Sequence, residues 1–353
     1  MKVAILGFGT VGVGVYEMLE KCAGLEPGPV LVRPGKADKP FKVTSVETIV
    51  GDPSVGAVAE VMGGIEPANT YVAMALKAGK HVVTSNKALV AAHGMELCEI
   101  ARNNGVSFLF SAACGGGVPF LHNLAIAAQS DKILSLGGIL NGTTNFMLDA
   151  MQSEGKDYAD VLKQAQALGY AEADPTADVS GLDALRKIML ACAVAYDKLP
   201  VDGFSREGIE SITAYVEPVL LRDGAAECSV LENYNMARYQ GRNSGPIVLM
   251  GQGAGRYPTA SAVLRDLSGI LRGERYMFRA GTERVAADNS KAVHVYYVRL
   301  PADQVKRLPA ESAEFDGDVA RVLTKAMSVA EMHAIAKELR AGGAKVFFAA
   351  VAQ

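Results

Sequence analysis

The 353-residue sequence has little with which to build a metal site or a disulfide framework. Its five cysteines (Cys22, Cys98, Cys114, Cys192 and Cys228) and five histidines are scattered along the chain. None of them has metal-ligand spacing, so we expect no metal site, reduced thiols and a cytoplasmic setting. No apolar run reaches membrane-spanning length, and no membrane role is expected. The strand pattern already under way at Lys2 leaves no room for a signal peptide. The net charge is only −3, which gives no handle on nucleic acid or anionic lipid. What remains is a globular composition, half apolar and 21% charged, at a length that calls for two domains or more.

The chain opens KVAILGFGTVG. Val3 to Leu6 read as a short buried strand, and Val11, Val15, Met18, Leu19 and Cys22 follow at helical spacing. Between them the glycines fall at 7, 9 and 12. In such a strand–turn–helix, Gly7 permits the tight turn, Gly9 lets backbone approach a pyrophosphate, and Gly12 lets the helix pack on the strand. The helix N-terminus then offers unpaired N–H groups to phosphate. Dinucleotide binding is the reading this context supports.

A second strand is expected at 30–33, ending in Arg33, with Lys36 and Lys39 beyond. An acid at this strand end would hold a ribose 2′-OH, whereas cations suit a 2′-phosphate. The preferred cofactor is therefore NADP. Asp38 keeps NAD open, and a solvated basic turn at Pro34–Gly35 is the plainer alternative. Further strands are expected at 57–61, 80–84 and 108–112, with helices at 68–78 and 88–104. Lys87 follows a strand end, where ligands of open α/β sheets bind, although a lysine there could equally cap a loop. Three glycines at 115–117 permit close backbone approach.

Past residue 130 the pattern changes. A strand and a helix start share 134–148, with Asn141 or Thr143 as the cap. Helices follow at 157–168 and 181–197, separated by GYAEADPTADVSGLDALRK, 169–187. Glu172, Asp174, Asp178 and Asp183 crowd this stretch before Arg186 and Lys187. One reading is a capped surface helix: Ser180 and Asp183 resemble a capping box, and Asp183 and Lys187 stand i, i+4. Its apolar face would be Leu182, Leu185, Met189 and Cys192. That accounts for Asp183 and part of Lys187 but not for Glu172, Asp174 and Asp178. Charge crowded beside an apolar helix is a candidate active site. A second glycine-rich turn at 251–255 precedes a helix carrying Val263, Leu264 and Leu267, and could return the chain to the cofactor.

Taken in order, GFGTVG, TSNKAL at 84–89, GGGVP at 115–119, NGTTNFML at 141–148, the acidic stretch, and GQGAGRYPTASAV at 251–263 resemble the homoserine dehydrogenase family over roughly residues 1–300. The resemblance implies an α/β fold: a Rossmann dinucleotide-binding domain with an inserted α/β substrate-binding and dimerisation domain. The boundaries would be 1–130 with 256–275, and 131–255 with 276–292. It implies reversible oxidation of L-homoserine to L-aspartate 4-semialdehyde with NADP or NAD, by a homodimer. By position, Lys187 matches the proton donor and Lys87 a residue between cofactor and substrate. Glu172, Asp178, Asp183, Thr143 and Tyr170 match substrate-binding positions. Gly7, Phe8, Gly9, Thr10, Val11, Gly12, Arg33 and Gly255 match cofactor-contacting ones.

The chain departs from the family in two places. The family commonly binds a monovalent cation through a glutamate and nearby carbonyls. Here that glutamate position is Ser111, and the carbonyls would be those of Cys114, Gly116 and Val118, so weak or absent metal binding is expected. The tail, 293–353, resembles a reduced ACT-like extension, with strands at 294–300 and 345–352 and a helix at 328–341. A structural or dimer-stabilising extension is the alternative. Two other functions compete: an acyl-enzyme aldehyde dehydrogenase with Cys114 as nucleophile, which needs a base near the thiol, and a non-catalytic dinucleotide sensor.

Overall fold

The computed structural model describes residues 1–171, 173–202, 215–222, 224–290 and 292–352. The chain divides into two compact units, Met1–Asp197 with Val230–Thr282, and Lys198–Ser229 with Glu283–Gln353.

The first unit opens with β1 (Lys2–Leu6), α1 (Thr10–Leu19), β2 (Glu26–Leu31), β3 (Lys42–Val43), α2 (Val46–Val50) and β4 (Val55–Glu60). α3 (Ala68–Lys77), β5 (His81–Thr84), α4 (Lys87–Asn103) and β6 (Phe108–Leu109) complete a parallel sheet. Its order is β3-β2-β1-β4-β5-β6, the doubly wound order of dinucleotide-binding folds. Val3, Ala4, Ile5, Leu6, Val58, Val82 and Val83 are fully buried, as expected of parallel strands covered on both faces. The strand expected to run to 112 ends at Leu109. Ser111–Ala113 turn into a 3-10 helix because the Ser111 N–H is drawn to Asp266.

Next come α5 (Phe120–Ser130), β7 (Ile133–Ile139), α6 (Gly142–Glu154), α7 (Tyr158–Ala167), the short α8 (Thr176–Val179) and α9 (Leu182–Tyr196). β8 (Lys198–Asp202) and β9 (Val219–Leu220) belong to the second unit. The chain returns as β10 (Tyr234–Gly241), β11 (Gly245–Gln252) and α10 (Arg256–Leu271). β11, β10 and β7 form an antiparallel sheet with α5, α6 and α9 packed against it. Its residues Leu134, Val248 and Met250 are about half exposed. α10 lies on α1, and Gly14 makes the approach possible: a Cβ there would stand 2.7 Å from Arg256 Cγ and 3.3 Å from Ala260 Cβ.

In the second unit β8 pairs in parallel with β12 (Glu283–Ala286). The rest is β13 (Val293–Pro301), a 3-10 turn at Ala302–Arg307, β14 (Ala310–Asp316), β15 (Val319–Thr324), β16 (Met327–Ser328), α11 (Val329–Ala341) and β17 (Phe347–Val351). The sheet order is β14-β15-β13-β17-β9. Tyr296, Val298, Val322, Met332, Ala336 and Phe348 form the core beneath α11. Ser328 and Glu331 cap that helix reciprocally.

Candidate active site

The first part of the site is the glycine turn after β1. Gly7 has φ +99°, a conformation that favours glycine. A Cβ on Gly12 would stand 2.2 Å from the Gly7 carbonyl oxygen, so glycine at 12 lets the helix close on its own turn. A Cβ on Gly9 would meet nothing within 4 Å, so an open cradle faces the α1 N-terminus where Thr10 and Val11 begin the helix. These residues fit a pyrophosphate, which needs bare backbone and free N–H groups. Beside the turn, Phe8 meets Tyr16 and Phe41 edge-on, and the Lys42 ammonium lies 5.1 Å from the Phe8 ring centre. Arg33 lies two residues beyond β2. Asp38, the acid that would suit a free ribose hydroxyl, is paired with Lys42 at 2.5 Å. Gly255, with φ +119°, is the N-cap of α10.

The second part forms where α4, α6 and α9 start. α4 begins at Lys87 because the Asn86 side chain accepts the Leu89 N–H, and α6 begins at Gly142 because Asn141 accepts the Thr144 N–H. α9 has Gly181 at its N-cap, in the left-handed region at φ +77°, and no side chain caps it. The Ser180 capping box therefore does not form. Asp183 turns inward instead and gathers both lysines: Lys187 Nζ lies 2.7 Å from Oδ2 and Lys87 Nζ lies 2.9 Å from Oδ1. Asn141 Nδ2 donates to Asp183 Oδ2 at 2.9 Å and to Asp178 Oδ1 at 2.7 Å. Lys187 also donates to the Leu140 carbonyl.

This is not a surface pair. Asp183 is 7% exposed and Lys187 6%. Burial alone would raise the Asp183 pKa, but the Lys187 and Lys87 ammonium groups and the hydrogen bonds from Lys187 and Asn141 outweigh it. The carboxyl stays well below the ordinary range, so it is ionised throughout neutral pH. Such an arrangement holds an ammonium fixed at the end of a buried carboxylate, which can stabilise and protonate a developing oxyanion.

Thr143 donates its hydroxyl to the Tyr170 carbonyl at 2.7 Å, and the Tyr170 ring meets Phe146 edge-on. These contacts tie the start of the acidic stretch to α6. Glu172 lies outside the described residues. Asp174 is exposed and accepts the Thr176 N–H, a local turn bond. Spacing alone offers Asn141 or Thr143 as the cap of α6 and gives no sign of the second role of Asn141. Nor does it mark Glu60 at the end of β4: fully buried, accepting from the Thr84 hydroxyl and the Met62 N–H, its pKa raised by that burial.

Cys114 is fully buried, and burial pushes its thiol up to about 12. Its sulfur lies 3.9 Å from the Lys187 carbonyl oxygen, and His122 is paired with Glu274 at 3.8 Å. A thiol so placed is no nucleophile at neutral pH.

Comparison with known proteins gives a concordant result. The homoserine dehydrogenase NAD-binding domain family matches residues 7–111, and the homoserine dehydrogenase family matches 119–215 and 210–268. Homoserine dehydrogenase of Synechocystis sp. is 39% identical, over 77% of this chain and 73% of its own; that of Corynebacterium glutamicum is 38% identical, over 81% and 75%. A crystal structure of a homoserine dehydrogenase from Thiobacillus denitrificans superposes with TM-score 0.83 at 29% identity, covering 100% of this chain and 98% of the other. A hyperthermophilic archaeal homoserine dehydrogenase mutant in complex with NADPH superposes with TM-score 0.68 at 26% identity, covering 77% and 98%.

Proposed function

The chain belongs to the homoserine dehydrogenase family, and from that premise we propose how its residues divide the reaction. It is an NAD(P)-dependent oxidoreductase that interconverts L-homoserine and L-aspartate 4-semialdehyde, a step of aspartate-family amino-acid biosynthesis. The bound nicotinamide supplies or takes the hydride. The Gly7–Gly12 turn and the α1 N-terminus hold the pyrophosphate.

Lys187 is the proton donor in the reducing direction. Its ammonium stabilises the negative charge that grows on the aldehyde oxygen and then protonates it; in the oxidising direction the amine takes the hydroxyl proton. Asp183 fixes that ammonium and the one on Lys87, which stands on the cofactor side. The observation that carries this reading is the Asp183 carboxylate bridging two lysines from different helices at 2.7 and 2.9 Å. Asp178, gathered by the same Asn141, and Glu172, by resemblance, receive the substrate ammonium. Thr143 and Tyr170 shape the substrate pocket.

NADP is the preferred cofactor. Arg33, Lys36 and Lys39 supply cations for a 2′-phosphate, and Asp38 is occupied by Lys42. The chain works as a cytoplasmic homodimer; the half-exposed Leu134, Val248 and Met250 on one antiparallel sheet support an interface with a second copy. Residues 1–130 with 256–275 form the dinucleotide-binding domain, a division that the packing of α10 on α1 supports, and 131–255 with 276–292 form the substrate domain. Residues 293–353 are a reduced ACT-like extension: apart from the two-residue β16, the tail's own strands lie in the order β14-β15-β13-β17, with a 3-10 turn in place of the first helix. Homoserine-dependent formation of reduced nicotinamide, titrated with NAD and with NADP, tests the cofactor assignment. A lower KM for NADP, lost in Arg33→Ala, is expected; equal use of both by the parent would reject it.

A further inference from the structure

The turn at 111–119 does not fit a bound metal cation. Ser111 brings no charge, and both its donors are committed to Asp266: the N–H to Oδ2 at 2.7 Å and the hydroxyl to Oδ1. The neighbouring residue on α10, Arg265, reaches the other end of the same turn. Its Nη2 donates to the Gly117 carbonyl at 3.3 Å, and its Nη1 is buried with no partner among the described residues. One long hydrogen bond does not by itself explain a guanidinium with an orphaned donor at this place, since an unpaired buried donor is costly. A fixed positive charge set against the Gly117 carbonyl dipole does.

We propose that the Arg265 guanidinium is the resident cation of this turn, a covalently tethered substitute for a monovalent metal ion. Asp266, the adjacent residue, holds the Ser111 end of the turn through that N–H and hydroxyl. Burial raises that carboxyl to about 7, and the Ser111 bonds and the Arg265 charge act against the rise. A second cation at the turn would meet the guanidinium at short range in a medium of low dielectric, where like charges repel strongly.

The turn is where such a charge has leverage. Gly117 N–H donates to the Gln252 carbonyl at 3.0 Å, and a Cβ on Gly116 would stand 2.5 Å from the Gly253 carbonyl carbon. Cys114 lies against the Lys187 backbone. Arg265 is thus a positioning residue: it holds the turn that supports both the glycine loop before α10 and the helix carrying Lys187.

The test pairs thermal unfolding of the ligand-free protein with homoserine oxidation, in sodium, potassium and choline chloride at equal ionic strength. The parent is expected to give one midpoint and one rate in all three salts. Arg265→Ala removes the cation; Arg265→Gln removes the charge but keeps an N–H for Gly117. Both should lose about ten- to a hundredfold in rate in choline, the scale of one charge-assisted hydrogen bond. Both should regain rate and midpoint with sodium, potassium or low, non-denaturing guanidinium. A parent midpoint that rises in sodium or potassium but not in choline would overturn the proposal, because a metal ion would then occupy the turn. Folded variants with the parent rate in choline, or impaired equally in every salt, would overturn it too. If neither variant folds in any salt, the parent's response to the three salts decides alone.

Discussion

Asparagine at position 183 would keep the shape of the side chain and remove the charge that two lysines share. In the parent, one carboxylate receives Lys187 at 2.7 Å, Lys87 at 2.9 Å and Asn141 at 2.9 Å. An amide has a single acceptor oxygen, so its NH2 would face donors. Removing one partner of a buried ion pair costs about 3–5 kcal/mol. The lower end applies, because the Lys87 side chain is 35% exposed and partly screened by water. Loss of the fixed ammonium position should lower kcat about a hundredfold. Steady-state homoserine oxidation and urea unfolding across pH measure both effects. The pH dependence has a definite sign. Asp183 is held below its unfolded pKa of about 4. Its stabilisation is complete above that pH and is lost as pH falls through the native value. The stability gap between parent and Asp183→Asn should therefore be constant near neutrality and narrow below about pH 4. A folded variant with the parent's kcat, or a gap that ignores acid pH, would refute the reasoning.

The glycine turn yields a contrast between two substitutions. Gly9→Ala, with nothing within 4 Å of its Cβ and φ −83°, should leave the melting temperature unchanged and weaken dinucleotide binding in a fluorescence titration. Gly12→Ala, whose Cβ would stand 2.2 Å from a carbonyl oxygen, should lower both. Iodoacetamide should label exposed Cys228 and leave activity intact, because the Cys114 thiol is buried with its pKa pushed up to about 12; inactivation that tracks labelling of Cys114 would count against this. Asp266, raised to about 7, holds a proton in the native state that the unfolded chain releases near pH 4, so its contribution to stability declines as pH rises from about 4 to about 7. Asp266→Asn should remove that slope in urea unfolding, gaining on the parent toward neutral pH.

Local signals sufficed where function rests on local geometry. The glycines at 7, 9 and 12 and the chain direction after β1 follow from spacing alone, whereas the strand end before Lys87 leaves a ligand-side lysine and a loop cap equally open. The buried cluster was harder, because the spacing of Asp183 and Lys187 is the same for a surface pair and a buried one. What buries them is α4 and α5 packing on α9, which no window of sequence contains. Asn141 was legible as a cap, since its Oδ1 serves the backbone of its own helix. Its Nδ2 serves Asp178 and Asp183, 37 and 42 residues on, and that role exists only once the start of α6 meets α8 and the start of α9. β2 starts earlier than expected, at Glu26, although Pro27 and Pro29 discourage a strand locally. Parallel pairing with β1, with its register shifting between Val3 and Ile5, carries it. Arg265 and Ser111 gave no sequence signal of partnership, because they meet through Asp266 and Gly117 across about 150 residues.

The most direct measurement is kcat for homoserine oxidation by Lys187→Ala under saturating cofactor, with dinucleotide affinity and melting temperature measured on the same preparation. Lys87 still pairs with Asp183 in this variant, so the fold and cofactor binding should persist while turnover drops by about 10²–10⁴. A protein that binds dinucleotide, melts like the parent and turns over homoserine at the parent's rate would contradict the assignment of the proton to Lys187.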